Sequence, residues 1–174
     1  IPLSKRMYGM GLPMGRLKTG TPPRIKLSSL NLDVMDEQPG DSPTPFMSSL
    51  QKQNTHPKQL SCYITRTSAT TKKIIEEDLH LSAMYSGQIH GIGPRYCPSI
   101  EDKVVKFKNK DTHQVFIEPE GVNTDLVYPN GISSSLPIET QDQFVRTITG
   151  LEDSVITEYG HAVEYDFVDT RSLH

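Results

Sequence analysis

Gly93-Pro94-Arg95-Tyr96-Cys97-Pro98-Ser99-Ile100-Glu101-Asp102-Lys103-Val104-Val105-Lys106-Phe107 is the stretch on which the reading of the fold turns. Its first half is stiff. Pro94 and Pro98 fix their own φ and push the residue before each toward extended geometry, so Cys97 stands on a loop-like segment. Its second half, Lys103 to Phe107, carries the β-branched pair Val104 and Val105 and reads as a strand. A turn over Asn109–Asp111 then leads into His113–Glu118, a second strand with Val115 and Ile117 on one face. The two together read as a β-hairpin.

Outward from this pair the chain alternates short apolar runs with turn signals. Ser68 caps a helix running through His80, with Ile74, Ile75 and Leu79 on its inner side. Glu76 and Glu77 stand in helical register with Lys72 and Lys73. Pro137 opens a second helix that runs to Thr149 and is stopped by Gly150, with Ile138, Val145 and Ile148 as its inner stripe and Phe144 beside them. Cys62–Thr65, Val155–Ile156 and Ala162–Phe167 have strand composition, and Leu27, Leu30, Leu32 and Val34 read as a short strand. Pro129-Asn130-Gly131 reads as a turn. Ile1 to Arg24 is rich in Gly and Pro, which excludes a long helix there and leaves a short turn around Met14–Leu17. Gln51–Gln59 is polar and reads as mobile. Strands outnumber helices and are joined by short turns. The fold class is therefore α+β: a single domain with a largely antiparallel or mixed sheet and a few helices.

Composition narrows the function. The chain has 174 residues, enough for one domain with a core, yet it is only 34% hydrophobic and holds 13 Pro and 12 Gly. No run of 18 apolar residues is present, which excludes a helical membrane span. No basic-then-apolar leader stands at the start, and a chain that begins at Ile1 reads as a piece of a longer protein. The two cysteines, Cys62 and Cys97, make neither a CxxC nor a zinc-type Cys/His spacing, so no metal site is expected and a reducing cytoplasm is the simplest setting. The net charge of −3 argues against a dedicated nucleic-acid module. However, Lys5, Arg6, Arg16, Lys18, Arg24 and Lys26 all precede the first acid, Asp33. Such an end can track phosphates, or it can be an ordinary solvated face. No GxGxxG turn and no Walker loop occur, so the chain lacks a dinucleotide-binding Rossmann-type core.

Three places carry chemistry. Cys97 is the sharpest: a thiol works as a nucleophile only as thiolate, which needs nearby positive charge, and Arg95 and Lys103 are close in sequence. In an extended segment Arg95 and Cys97 point to the same side. Glu101 and Asp102 can orient Lys103 or accept protons, or merely cap the next element. Arg16, Lys18 and Arg24, with Thr19, Thr21 and Gly20 among them, make an anion-binding loop or a stiff hinge. Cys62 reads as an inert strand residue.

The run GPRYCPSIEDKVVKF at 93–107 closely resembles the signature of the MnmG/GidA family of FAD-dependent enzymes that modify the wobble uridine of certain tRNAs. GRLKTGTPPR at 15–24, HQVFIEPEG at 113–121, YPNGIS at 128–133 and EYDF at 164–167 match the same family in the same order. The resemblance covers nearly the whole chain. It implies an insertion domain cut from a host whose FAD-binding parts lie on either side. Residues 1–24 would be the junction to that FAD-binding domain, 25–160 the NAD-associated insertion, and 161–174 the return. It implies Cys97 as one of two working cysteines and the whole run Gly93 to Phe107 as associated with NAD(H). It places Arg16, Lys18 and Arg24 near the active site or on tRNA. The full-length enzyme would be a bacterial cytoplasmic homodimer rather than its mitochondrial homologue. With an MnmE-type GTPase it would add an aminomethyl or carboxymethylaminomethyl group to C5 of the uridine, using FAD, NADH and a folate one-carbon donor. The isolated chain would be inactive and would not hold FAD. The alternatives are a non-catalytic tRNA-binding module in which Cys97 is structural, and a self-standing thiol enzyme, which the lack of a Cys/His dyad disfavours.

Overall fold

The computed structural model describes residues 2–51 and 56–172. Among these described residues four helices are present: α1 (Pro2–Gly9), α2 (Ala69–Glu77), α3 (Ile100–Lys106) and α4 (Ile138–Val145). Eight strands accompany them: β1 (Met14–Gly20), β2 (Arg24–Lys26), β3 (Asp36–Gln38), β4 (Cys62–Arg66), β5 (Gln114–Pro119), β6 (Leu126–Asn130), β7 (Ile156–Glu158) and β8 (Ala162–Val168). Six strands form one antiparallel sheet in the order β3-β4-β5-β6-β2-β7, and β1 pairs with β8 in a separate two-stranded ribbon. The α+β class is as the sequence led one to expect.

The centre of the sheet is built by alternation. Val115 and Ile117 of β5 and Val127 of β6 are fully buried, as is Ile25 of β2. They share one core with Ile75 of α2, Ile100 and Val104 of α3, and Phe144 and Val145 of α4. Side chains two apart on a strand and four apart on a helix point the same way, so a modest apolar content suffices to fill one core. Ser68 opens α2 with a reciprocal cap: Thr71 N donates to Ser68 Oγ (3.1 Å) and Ser68 N donates to Thr71 Oγ1 (2.9 Å).

The central run departs from its sequence reading. Lys103–Phe107 is not a strand; it is most of α3 and its C-cap. Ser99 Oγ accepts from Asp102 N (3.1 Å), and Ser99 N donates back to Asp102 Oδ2 (3.3 Å). Acids Glu101 and Asp102 stand in the first turn and Lys103 and Lys106 in the last, matching the helix dipole. Ile100 and Val104, four apart, form the buried face. The capping box and this period outweigh the β-propensity of Val104-Val105. Consequently the hairpin partner of β5 is not that segment: β5 pairs with β4 on one side and β6 on the other.

Other differences are local. Pro129 and Asn130 lie within β6, and only Gly131 turns. Residues 2–24 hold α1 and β1 rather than turns alone, because β1 is paired along its whole length by a distant partner. Leu27–Ser29 and Leu32–Val34 are two 3-10 turns instead of a strand. The helix from Ser68 ends at Glu77, followed by a 3-10 turn at Leu79–Leu81. The last long helix begins at Ile138 and ends at Val145. Its exit is closed at Gly150, whose φ of +83° suits glycine, and an added Cβ there would lie 2.8 Å from the Asn31 carbonyl oxygen. Cys62–Thr65, Ile156 and Ala162–Phe167 are strands as read. Of the stretch Gln51–Gln59, residues 52–55 lie outside the described residues.

Candidate functional site

Cys97 is exposed, and the loop that carries it is anchored at both ends, on the N-terminal side by Ile92, whose N donates to the Arg16 carbonyl at 3.2 Å and whose carbonyl accepts from Lys18 N at 3.1 Å. On the C-terminal side Ser99 caps α3, and Ile100 N donates to the Ser133 carbonyl at 2.7 Å. From β1, Thr19 Oγ1 donates to the Cys97 carbonyl at 3.2 Å and stands 3.8 Å from Sγ. The strand then passes Gly20, where a Cβ would approach the Ser134 backbone to 2.9 Å, so glycine alone permits the contact. Beyond it, Ser134 N donates to the Thr21 carbonyl at 3.0 Å. Two prolines and these ties leave the thiol on a defined perch.

The side chains of the run fall into two groups. Arg95, Tyr96 and Cys97 are exposed, Tyr96 at 86%, with the Arg95 guanidinium 5.2 Å from the Tyr96 ring centroid. Gly93, Pro94 and Pro98 are partly covered. Ser99, Ile100, Glu101 and Val104 are buried beneath them. Asp102 accepts from the Tyr85 hydroxyl at 2.8 Å, and burial together with this carboxylate pushes the Tyr85 phenol up. Lys103 is partly buried and donates to the Gly131 carbonyl at 2.7 Å. Burial holds its ammonium below the ordinary lysine range, and Cys97 lies near enough to oppose that shift. Val105 is partly covered, and Lys106 and Phe107 are exposed at the end of the helix. Cys62, in β4, is partly buried, and burial with nearby Glu118 pushes its thiol up.

Arg16, Lys18 and Arg24 are each engaged within the chain. Arg16 forms ion pairs with Glu164 (3.1 Å) and Asp166 (2.8 Å) across the ribbon. These pairs hold both carboxyls below their ordinary range: Glu164 by its hydrogen bond to Arg16, Asp166 by its bonds to Ser4 and Arg16. Lys18 donates to the Met84 carbonyl at 2.6 Å. Arg24 pairs with Glu120 and lies 4.4 Å from the Tyr128 ring centroid. Arg16 thus ties the two strands of the ribbon together, Lys18 and Thr19 tie the ribbon to other parts of the chain, and of these three Thr19 touches Cys97. Among the described residues, no group of three His, Cys, Asp or Glu side chains is placed to hold a metal ion, and no helix is long and apolar enough to cross a membrane.

Sequence reasoning passes over the support of the site. Ser82 and Ser133–Ser135 form a buried polar cluster around Glu101. The Ser-Ser-Ser triplet is a visible signal, but nothing local connects it to a carboxylate more than thirty positions away.

A domain that presents one exposed thiol on a doubly anchored, proline-stiffened loop over a buried polar cluster is a site-bearing α+β module. Residues 1–174 match the family described as Glucose inhibited division protein A, and the chain belongs to it. It is 57% identical over 160 residues to the tRNA uridine 5-carboxymethylaminomethyl modification enzyme MnmG of Buchnera aphidicola subsp. Cinara cedri (strain Cc), covering 92% of this chain and 25% of that relative. Two crystal forms of Aquifex aeolicus GidA share the fold. Form I matches with a TM-score of 0.82 and 44% identity over 95% of this chain and 28% of that one. Form II gives 0.79 and 41%, over 95% and 26%. The chain thus spans about a quarter of the length of the relatives it matches.

Proposed function

We propose that this chain is the thiol-bearing part of a tRNA wobble-uridine modification enzyme, with Cys97 as its working nucleophile. The observation that carries this reading is the exposed Cys97 on its anchored perch, within a chain that belongs to the GidA family. The full-length protein, working with an MnmE-type GTPase as a cytoplasmic homodimer, would add a (carboxymethyl)aminomethyl group to C5 of the uridine. FAD, NADH and a folate one-carbon donor would supply the electrons and the carbon. The paired strands β1 and β8 hold both outer segments side by side and would form the connection, through residues 1–24 and 161–174, to the FAD-binding part.

The loop fits one end of a nicotinamide dinucleotide. Tyr96 offers an exposed ring face and Arg95 a guanidinium for a phosphate, both beside Cys97. The buried members of the run, Ser99, Ile100, Glu101 and Val104, would support that surface from below rather than touch the cofactor. FAD finds no glycine-rich phosphate turn in this chain.

For tRNA, charge that is already paired is worth less to a phosphate than charge that is not. Arg16, Lys18 and Arg24 remain contacts in this proposal, but each must exchange a partner first. Lys106, Lys108 and Lys110 are exposed, form no ion pair among the described residues, and flank the 48%-exposed Phe107. They stand at the far end of α3, about 10 Å of helix from the Cys97 loop. A strand whose target base lies at Cys97 would reach them within two or three nucleotides.

The test is Cys97→Ser in the full-length enzyme. Modification of tRNA should be lost while folding and FAD content stay unchanged. An enzyme that still modifies tRNA at the parent rate would reduce Cys97 to a structural residue and leave a tRNA-binding module.

A further inference from the structure

Among the described residues Glu101 is the only fully buried acid, at 0% exposure. Its two oxygens are treated very differently. Oε1 accepts from Ser135 N (2.8 Å), Ser82 Oγ (3.1 Å), Ser134 Oγ (3.2 Å) and Ser135 Oγ (3.3 Å). Oε2 is buried with no partner. The carboxyl is thus held through one oxygen, by the backbone and hydroxyls of three serines. Desolvation pushes the carboxyl above the ordinary range, and the serine bonds only partly offset it.

The serines on Glu101, with Ser133 beside them in the chain, adjoin the groups that fix the Cys97 loop. Ser133 accepts from Ile100 N through its carbonyl, which anchors the exit of the Cys97 loop. Ser134 bridges to Thr21, next to Gly20 and Thr19, and Thr19 holds the Cys97 carbonyl. Ser82 bonds Ser135 Oγ at 2.7 Å, and Met84 N donates to the same hydroxyl at 3.2 Å, which brings in the segment that binds Lys18. The two ties of the Cys97 loop, one through Thr19 and one through Ile100, meet at the serine triplet, and Glu101 joins that triplet to the first turn of α3.

We propose that Glu101 is a positioning residue. Through Ser134 and Ser135 it sets where the Cys97 thiol stands against Thr19 and the start of α3, without itself meeting substrate. The inference deepens the reading of Cys97 as the working thiol and rests on it. A carboxyl that served stability alone would, when removed, loosen both cysteines together. A positioning carboxyl moves one.

The experiment uses the full-length enzyme and follows alkylation of Cys97 and Cys62 in the same sample, each by mass spectrometry, with tRNA modification kinetics alongside. Glu101→Ala should change the Cys97 rate several-fold and leave the Cys62 rate as in the parent. It should lower kcat by about 10- to 100-fold, the loss expected from misplacing one oriented group, with KM for tRNA little changed. Glu101→Gln keeps the shape and a neutral hydrogen-bonding head, so it should return the alkylation ratio of the two thiols to the parent value. If Glu101→Ala does not fold, Ser134→Ala and Ser135→Ala each strip one hydroxyl from Oε1 and should shift the same ratio by less. The proposal is overturned by folded variants with the parent ratio, by both thiols changing together, or by a Gln variant no better than Ala. The ratio is read on the thiol itself. It therefore answers the question even where Cys97→Ser shows the thiol to be dispensable for modification.

Discussion

At the residue scale the two cysteines make an internal comparison. Cys62 sits in β4 with its thiol pushed up by burial and Glu118, whereas Cys97 is exposed on its loop. A thiol reacts as thiolate, so the isolated chain should alkylate faster at Cys97 than at Cys62 near neutral pH. Equal rates would remove the contrast on which the site reading stands. Glu101 yields a second prediction, with a sign. Its folded pKa is raised, so between its ordinary value and the raised one the folded state binds more protons than the unfolded state. Stability from this group is then full at low pH and is lost as pH rises through that window. Glu101→Gln removes the titration. The variant should therefore gain stability relative to the parent as pH rises from about 4.5 upward, measured by urea unfolding at several pH values. A constant difference between the two would show that Glu101 titrates alike in both states. The exposed loop around Cys97 is legible in the sequence because prolines constrain their neighbours locally. Glu101 stays open there between proton acceptor and cap, because its burial depends on serines brought in from far along the chain.

At the element scale α3 shows how a local signal is misread. Ser99 and Asp102 stand three apart in the sequence, yet the adjacent valines favour a strand. The cap decides, since it satisfies amides that a strand would have to pair elsewhere. Ser99→Ala should cost about 1 kcal/mol of unfolding free energy. A loss near zero would mean that packing of Ile100 and Val104 alone holds the helix. β1 is illegible for the opposite reason: Met14–Gly20 has no alternation of its own, and its order comes from β8. The end of α3 also carries the test of the tRNA surface. Replacing Lys106, Lys108 and Lys110 with Ala in the full-length enzyme should weaken tRNA binding and flatten its salt dependence, by about 0.7 to 0.9 in slope for each phosphate no longer neutralised. The triple change of Arg16, Lys18 and Arg24 should flatten it less, because those side chains are already engaged within the chain. The reverse order would move the nucleic-acid surface to the ribbon and the adjoining start of β2.

At the scale of the whole molecule the chain divides into a core that is dense and a ribbon that is not. The six-stranded sheet shares its apolar residues with α2, α3 and α4, and β5 alone supplies two residues with no exposure. In the ribbon only Gly20 of β1 is buried, no residue of β8 is, and Tyr165 and Phe167 stand 39% and 37% exposed. Its ties are hydrogen bonds along the pair and the ion pairs of Arg16, which are partly solvated and worth little each. Opening it therefore uncovers little apolar surface, and local stability follows what an opening exposes. In hydrogen exchange of the isolated chain, the amides of β5 and β6 should be protected to near the global unfolding limit. Those of β1 and β8 should exchange through a lower-energy opening. In the full-length protein the ribbon should gain protection while β5 and β6 change little, because the proposed FAD-binding part would cover it. Equal protection of ribbon and sheet in the isolated chain would show that the ribbon is held by the core and needs no cover. A ribbon that stays unprotected in the full-length protein would place the connection to the rest of the enzyme elsewhere.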